Sequence, residues 1–182
     1  KATPDRSVRD ALGRGTMIHT LLQMLPEIAP DERRDRARTW LDLSAPSMQA
    51  GQRNDLLDQV FGVLDDPGFG ALFAPSSLAE VPVMGTLDLG GQVRAVSGVI
   101  DRLAVTDQAV LIVDYKTGRA VPADADAIAE SHVRQMALYR ALVAPLYRQR
   151  PVRAFLLFTA GPTMIEVPAG RLDRALTALA RC

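Results

Sequence analysis

VRAVSGVIDRLAVTDQAVLIVDYKTG, residues 93–118, decides the fold. Val93–Val105 and Ala109–Lys116 are β-branched and apolar, and a two-residue turn at Asp107 and Gln108 predicts that they pair as an antiparallel hairpin. The turn length sets the register, which places Asp101 directly opposite Asp114. Cβ atoms so placed lie about 4.5–5.5 Å apart, where like charges oppose pairing. Val99, Ile100, Leu111, Ile112 and Val113 mark the surroundings as buried, which raises the cost. Something positive must stand between the two carboxylates. A hard divalent cation such as Mg²⁺ fits, because it takes a few carboxylate oxygens together with water and a substrate phosphate. Strand alternation puts Lys116 on the face of Asp114, with Tyr115 pointing away.

Working outward, Ala79–Leu89 reads as a further strand joined through Gly90–Gly91, giving a three-stranded meander in which Pro82 belongs on an edge or near a strand start. A helix over about 127–147, a strand Val152–Thr159, a short strand Met164–Val167 and a helix Arg171–Arg181 follow. Upstream, Leu12, Gly15, Ile18, His19, Leu22 and Leu25 share one helical face that Pro26 ends, so His19 points inward. A second helix starts near Asp31, with Ala37, Trp40 and Leu41 apolar. A third is capped by Asn54, with Leu56, Leu57, Val60, Phe61 and Leu64 inside. DDPGFGALFAPSS (65–77) breaks the helical pattern. It divides one domain, 1–182, into a helical lobe (1–75) and a sheet with flanking helices (76–182). The expected class is α/β, a mixed central sheet flanked by helices with an N-terminal helical lobe.

Composition narrows the function. The chain has 182 residues, 21 basic against 21 acidic side chains and 48% apolar content, which excludes disorder and suffices for one sizeable core. Zero net charge removes the broad basic field of a stand-alone nucleic-acid binder, so such a partner must be gripped locally or delivered by another domain. Cys182 is the only cysteine, which rules out an intrachain disulfide and a four-cysteine metal or iron-sulfur site, and a reducing cytoplasm fits best. No apolar run approaches the roughly 20 residues of a membrane span. The opening KATPDRSVRD lacks an initiator Met and a signal-peptide core, which suggests a domain excised from a longer protein.

Lysine occurs only at Lys1 and Lys116, every other basic residue being Arg. Two carboxylates and one compact ammonium suit metal-assisted phosphodiester hydrolysis: the metal activates water, and the lysine orients the nucleophile and offsets developing charge. Arg is a poor substitute, being planar and permanently protonated. Spacing alone leaves a plain salt bridge open for Asp114 and Lys116, and a hydrogen-bonded core residue open for His19. Lys-Thr-Gly at 116–118 also matches a β-lactamase string, but Ser-x-x-Lys is missing. The Gly-rich run of an ATP-binding loop is missing too.

GVIDRL (98–103), VDYKTG (113–118) and QMALY (135–139), in that order, resemble the PD-(D/E)xK nucleases of the RecB family, and among them the C-terminal nuclease domain of AddA-type helicase-nuclease subunits. RGTMIHTLLQMLP (14–26) is similar to the family's histidine-bearing helix, and AEVPV (79–83) to its glutamate-bearing first strand. The resemblance implies a restriction-endonuclease-like core with Asp101, Asp114 and Lys116 as catalytic residues. It implies metal ligation by His19, Asp101, Asp114 and the Tyr115 backbone carbonyl, with Mg²⁺ as cofactor and Mn²⁺ expected to substitute. Gln135 and Tyr139, one helical turn apart, would reach the DNA backbone or brace the site. Glu80 is either the family glutamate or a strand-edge charge that supports the site. Arg102 points away from Asp101 and reads as a structural or lobe-bridging charge, Thr117 and Gly118 as turn formers, and His132 as a surface residue. No iron-sulfur cluster is expected, since the cluster-bearing relatives need four cysteines. The implied setting is bacterial double-strand-break repair by homologous recombination. There a helicase in the missing part of the chain delivers single-stranded DNA and an AddB-like subunit is the partner, with no membrane involved. The alternative is a non-cleaving DNA-binding or docking module on the same fold.

Overall fold

The computed structural model describes residues 6–180, and side chains from residue 13. The expectations for Leu12, Arg181 and Cys182 lie outside the described residues. Three helices come first: α1 (Arg6–Met24), α2 (Arg33–Ser44) and α3 (Ala50–Leu64). They are followed by β1 (Leu78–Leu89), β2 (Gln92–Val105), β3 (Val110–Lys116), α4 (Glu130–Val143), β4 (Val152–Phe158), β5 (Thr163–Val167) and α5 (Ala169–Leu179). The sheet runs β1-β2-β3-β4-β5, with β3 and β4 parallel and every other neighbouring pair antiparallel. A parallel pair needs a crossover, and α4 supplies it. This is the expected mixed sheet flanked by helices.

Each face of the sheet buries its own core. Ile18, Leu21 and Leu22 of α1 and Leu25 just after it pack with Leu41, Leu56, Val60 and Phe61 against Val113, Tyr115, Phe155 and Leu157. On the other face, Val133, Met136 and Ala137 of α4 and Leu172 of α5 pack against Ile100, Ile112, Ala154 and Leu156. β3 and β4 are therefore covered on both sides, and their sequences are almost continuously apolar as a result. Asp114 and Lys116 interrupt that run. Among the described residues, no helix is long and apolar enough to cross a membrane.

Three boundaries differ from expectation, each for a local reason. Asn54 lies inside α3; Gln49 is the cap, and its N–H donates to the Gln52 side chain at 3.3 Å. α4 begins at Glu130 because Asp124 accepts from the N–H groups of Asp126 and Ala127, holding a turn where helix was expected. It ends at Val143, and a short 3₁₀ turn containing Pro145 follows. Pro82 lies in β1, an edge strand, as expected.

Candidate active site

The site forms where β2 and β3 part. Their register is the one the turn implied: Val105 faces Val110 and Arg102 faces Val113. The ladder stops there, one step short of Asp101 and Asp114. Asp101 fills the gap with its side chain, whose Oδ2 accepts the Tyr115 N–H at 2.6 Å. Its Oδ1 lies 3.4 Å from His19 Nδ1, contributed by α1. His19 faces inward onto this carboxylate, and its ring stands edge-on to the Tyr115 ring at 5.6 Å.

Glu80 joins from β1 through an unusual backbone. Ala79 pairs with Arg102 and Val81 with Ile100, but Glu80 forms no rung and has φ 49°. Left-handed backbone costs a residue with a Cβ roughly 1–2 kcal/mol, so this conformation persists only because its surroundings impose it. The outcome is a cluster: ligating atoms of His19, Glu80 and Asp101 all lie within 4.8 Å of one another. Glu80 is half-buried within this cluster.

Asp114 and Lys116 share a face, as alternation requires. Asp114 is 5% exposed, and its Oδ2 lies 2.6 Å from Lys116 Nζ. The short ion pair is the partner this buried oxygen has among the described residues. Lys116 Nζ also donates to Gln135 Oε1 at 3.4 Å, and Gln135 Nε2 donates to the Tyr139 hydroxyl at 3.2 Å. Tyr139 rests on Gly98, where an added Cβ would come within 2.4 Å of the hydroxyl oxygen. The GVIDRL and QMALY strings thus meet in space and act together on Lys116.

The whole chain was compared with known proteins. No curated protein matches it. A solved structure described as "Crystal structure of SSO0001" aligns at 15% identity and TM-score 0.40, covering 79% of this chain and 67% of that one. The PD-(D/E)XK nuclease superfamily matches residues 1–179. The chain belongs to that superfamily.

PD-(D/E)XK nucleases are generally divalent-metal-dependent, and the donors present here fit such an ion. Carboxylate oxygens suit Mg²⁺ and Mn²⁺, and the imidazole extends the choice toward Mn²⁺ and other transition metals. The charges say the same. Burial, then the charge of Asp101, pushes the Asp114 carboxyl up, and Lys116 only partly opposes this. Glu80 is raised by burial and by Asp101. Burial alone would lower His19, but its hydrogen bond to Asp101 and the charges of Asp101, Asp114 and Glu80 outweigh it, and the net direction is up.

Without metal, the surroundings therefore favour proton uptake by Asp114, Glu80 and His19, and a bound cation would compete with those protons. A folded-state His19 raised above the ordinary value of about 6.5 adds stability that is fully present below that value and lost as pH climbs through the folded one. In metal-free thermal denaturation, wild type should exceed His19→Gln at mildly acid pH and lose that margin at pH 8. A margin that grows with pH would contradict the arrangement.

Two further residues near the site, Arg14 and Arg119, were given no role by sequence reading. The close approach of α1 to the turn after β3 is allowed by Gly15, where a Cβ would meet Thr117 Oγ1 at 2.7 Å. Arg14 and Arg119 are near enough that, after burial, the charge of Arg119 is the next cause lowering Arg14, with Asp55 opposing. Arg14 opens the motif string RGTMIH and Arg119 directly follows DYKTG, and this was the available signal. His132 was read as a surface residue, yet it is half-buried, and its pKa is lowered by burial and then by the charge of Lys116.

Proposed function

We propose that this chain is a Mg²⁺-dependent deoxyribonuclease domain of the RecB type, the nuclease part of an AddA-like helicase-nuclease. It hydrolyses single-stranded DNA delivered by the motor, as an exonuclease acting beside an AddB-like subunit in bacterial recombinational repair. The observation that carries the reading is a buried carboxylate paired with a half-buried amine, Asp114 and Lys116, set beside the His19, Glu80 and Asp101 cluster. Zero net charge supports delivery by a motor, since phosphate contacts dominate unaided affinity for nucleic acid.

In this reading His19, Glu80, Asp101 and Asp114 hold the ion. The Tyr115 carbonyl joins them: its N–H points to Asp101, and in extended chain both backbone groups of a residue face the same strand edge. A bound Mg²⁺ or Mn²⁺ lowers the pKa of water and neutralises charge on a phosphate oxygen. Lys116 presents its ammonium to the attacked phosphate and to the incoming water, and Asp114 keeps that amine charged and in place. Gln135 accepts from the amine and is itself held by Tyr139, so this pair braces the site. The role of Tyr139 calls for a close-packed ring, and it is 8% exposed.

End-labelled single-stranded DNA incubated with the full subunit and its partner tests the proposal. Mg²⁺ should give nucleotide or short-oligonucleotide products that EDTA suppresses. Intact substrate under active unwinding would refute it.

A further inference from the structure

Arg102 is 1% exposed, and among the described residues it forms no ion pair. A buried cation without a carboxylate partner is expensive to keep, and an apolar side chain of similar volume is often the more stable choice. Its three donor directions show what it does instead. Nη2 donates to the Leu22 carbonyl at 2.8 Å, Nη1 to Ser77 Oγ at 3.4 Å and Nε to the Tyr115 hydroxyl at 3.4 Å, while the guanidinium lies 5.1 Å from the centre of the Phe73 ring.

Those acceptors lie on three elements that the metal reading needs in register. Leu22 is in the last turn of α1, where carbonyls lack helical N–H partners and the helix dipole favours a cation. It stands three residues after His19, about one turn away. Ser77 immediately precedes β1, three residues before Glu80. Tyr115 walls the His19 ring, gives its N–H to Asp101 and carries the carbonyl assigned to the ion. Arg102 itself follows Asp101 on β2, so two consecutive residues grip α1 at two heights, one through His19 and one through Leu22.

Apolar packing of α1 through Ile18, Leu21 and Leu22 is strong but non-directional. A helix displaced by one residue along its axis moves about 1.5 Å, and a metal site tolerates ligand errors of only about 0.2 Å. A directional tie is therefore needed, and a fork of donors spreading to three elements is something Arg offers and Lys does not. Resting on the metal reading above, we infer that Arg102 is a positioning residue that locks α1 to β1 and β3 and thereby places His19 on the metal.

A double-mutant cycle read by Mn²⁺ binding tests this, with the 182-residue chain titrated by calorimetry in the absence of DNA. Arg102→Met should weaken Mn²⁺ binding about 10- to 100-fold in the wild-type background, the usual effect of losing a group that orients a ligand. In a His19→Ala background the same change should weaken it less than about threefold, because the ligand it places is gone. Should Arg102→Met fail to show folded circular dichroism, Arg102→Lys retains a buried cation and one donor and should show the same coupling at smaller size. Equal losses in both backgrounds, or no loss in either, would overturn the positioning role while leaving the metal reading intact. Failure of the wild-type chain to bind Mn²⁺ would bring down the metal reading and this inference with it.

Discussion

Asp114→Ala and Lys116→Ala should each reduce Mg²⁺-dependent cleavage of single-stranded DNA by about 10³-fold or more, the scale seen when a charge-stabilising group is lost from a water-poor site. The fold should survive both changes. Burial and the neighbouring charge of Asp101 both disfavour the Asp114 carboxylate, so its removal takes away an unfavourably placed group and not a structural tie. Removing Lys116 leaves that carboxyl to take up a proton, an outcome a small local rearrangement absorbs. Lys116→Arg is the sharper control: it keeps the charge yet replaces a compact ammonium with a wide plane that Gln135 is not spaced to hold, and it should not restore the rate. Near-normal activity of Asp114→Ala or Lys116→Ala in the assembled enzyme would show that the Asp114–Lys116 pair is only a buried salt bridge.

The second large effect belongs to Asp101. Its carboxylate serves both metal and fold, since one oxygen contacts His19 and the other takes the backbone N–H that the ending ladder leaves over. Asp101→Ala should therefore do two things. Mn²⁺ affinity should fall by at least about 100-fold, beyond what outer-shell changes cause. Thermal stability should fall too, by about 1–3 kcal/mol, the cost of leaving a buried N–H without an acceptor. At pH 8, where the protonated imidazole no longer adds stability, His19→Ala should share the first effect and not the second, because no backbone group depends on the imidazole. Identical stability losses in the two variants would mean that Asp101 has no separate structural duty, and unchanged Mn²⁺ affinity in both would remove them from the metal site.

Much of this site could be read from residues 93–118, for a physical reason. Pairing in a two-residue hairpin is a local property, so the turn at Asp107 and Gln108 carries the register of β2 against β3 without help from the rest of the chain. The facing of Asp114 and Lys116 follows from alternation alone, and the inward aim of His19 from helical periodicity. Other features depend on contacts that a sequence does not display. The left-handed backbone at Glu80 is imposed by its neighbours on β1 and β2, since nothing in a glutamate favours φ 49°. The end of the β2–β3 ladder one step early is a three-dimensional divergence. The start of α4 at Glu130 reflects the Asp124 turn and Arg171 reaching back from α5 to the Ile128 carbonyl at 2.7 Å, across more than 40 residues. The capping of α3 was misplaced because Asn leads the cap preferences and Gln does not, whereas here Gln49 and Gln52 act together. Arg14 and Arg119, more than 100 positions apart, come together only because Gly15 lets α1 press against Thr117.

The most direct measurement is the position of Mn²⁺ in crystals of this chain, located by its anomalous scattering. The account predicts one strong peak bounded by His19, Glu80, Asp101 and Asp114, with the Tyr115 carbonyl in the same shell and the Lys116 amine alongside. A saturated crystal with no peak between Asp101 and Asp114, or with the ion bound away from both, would contradict it.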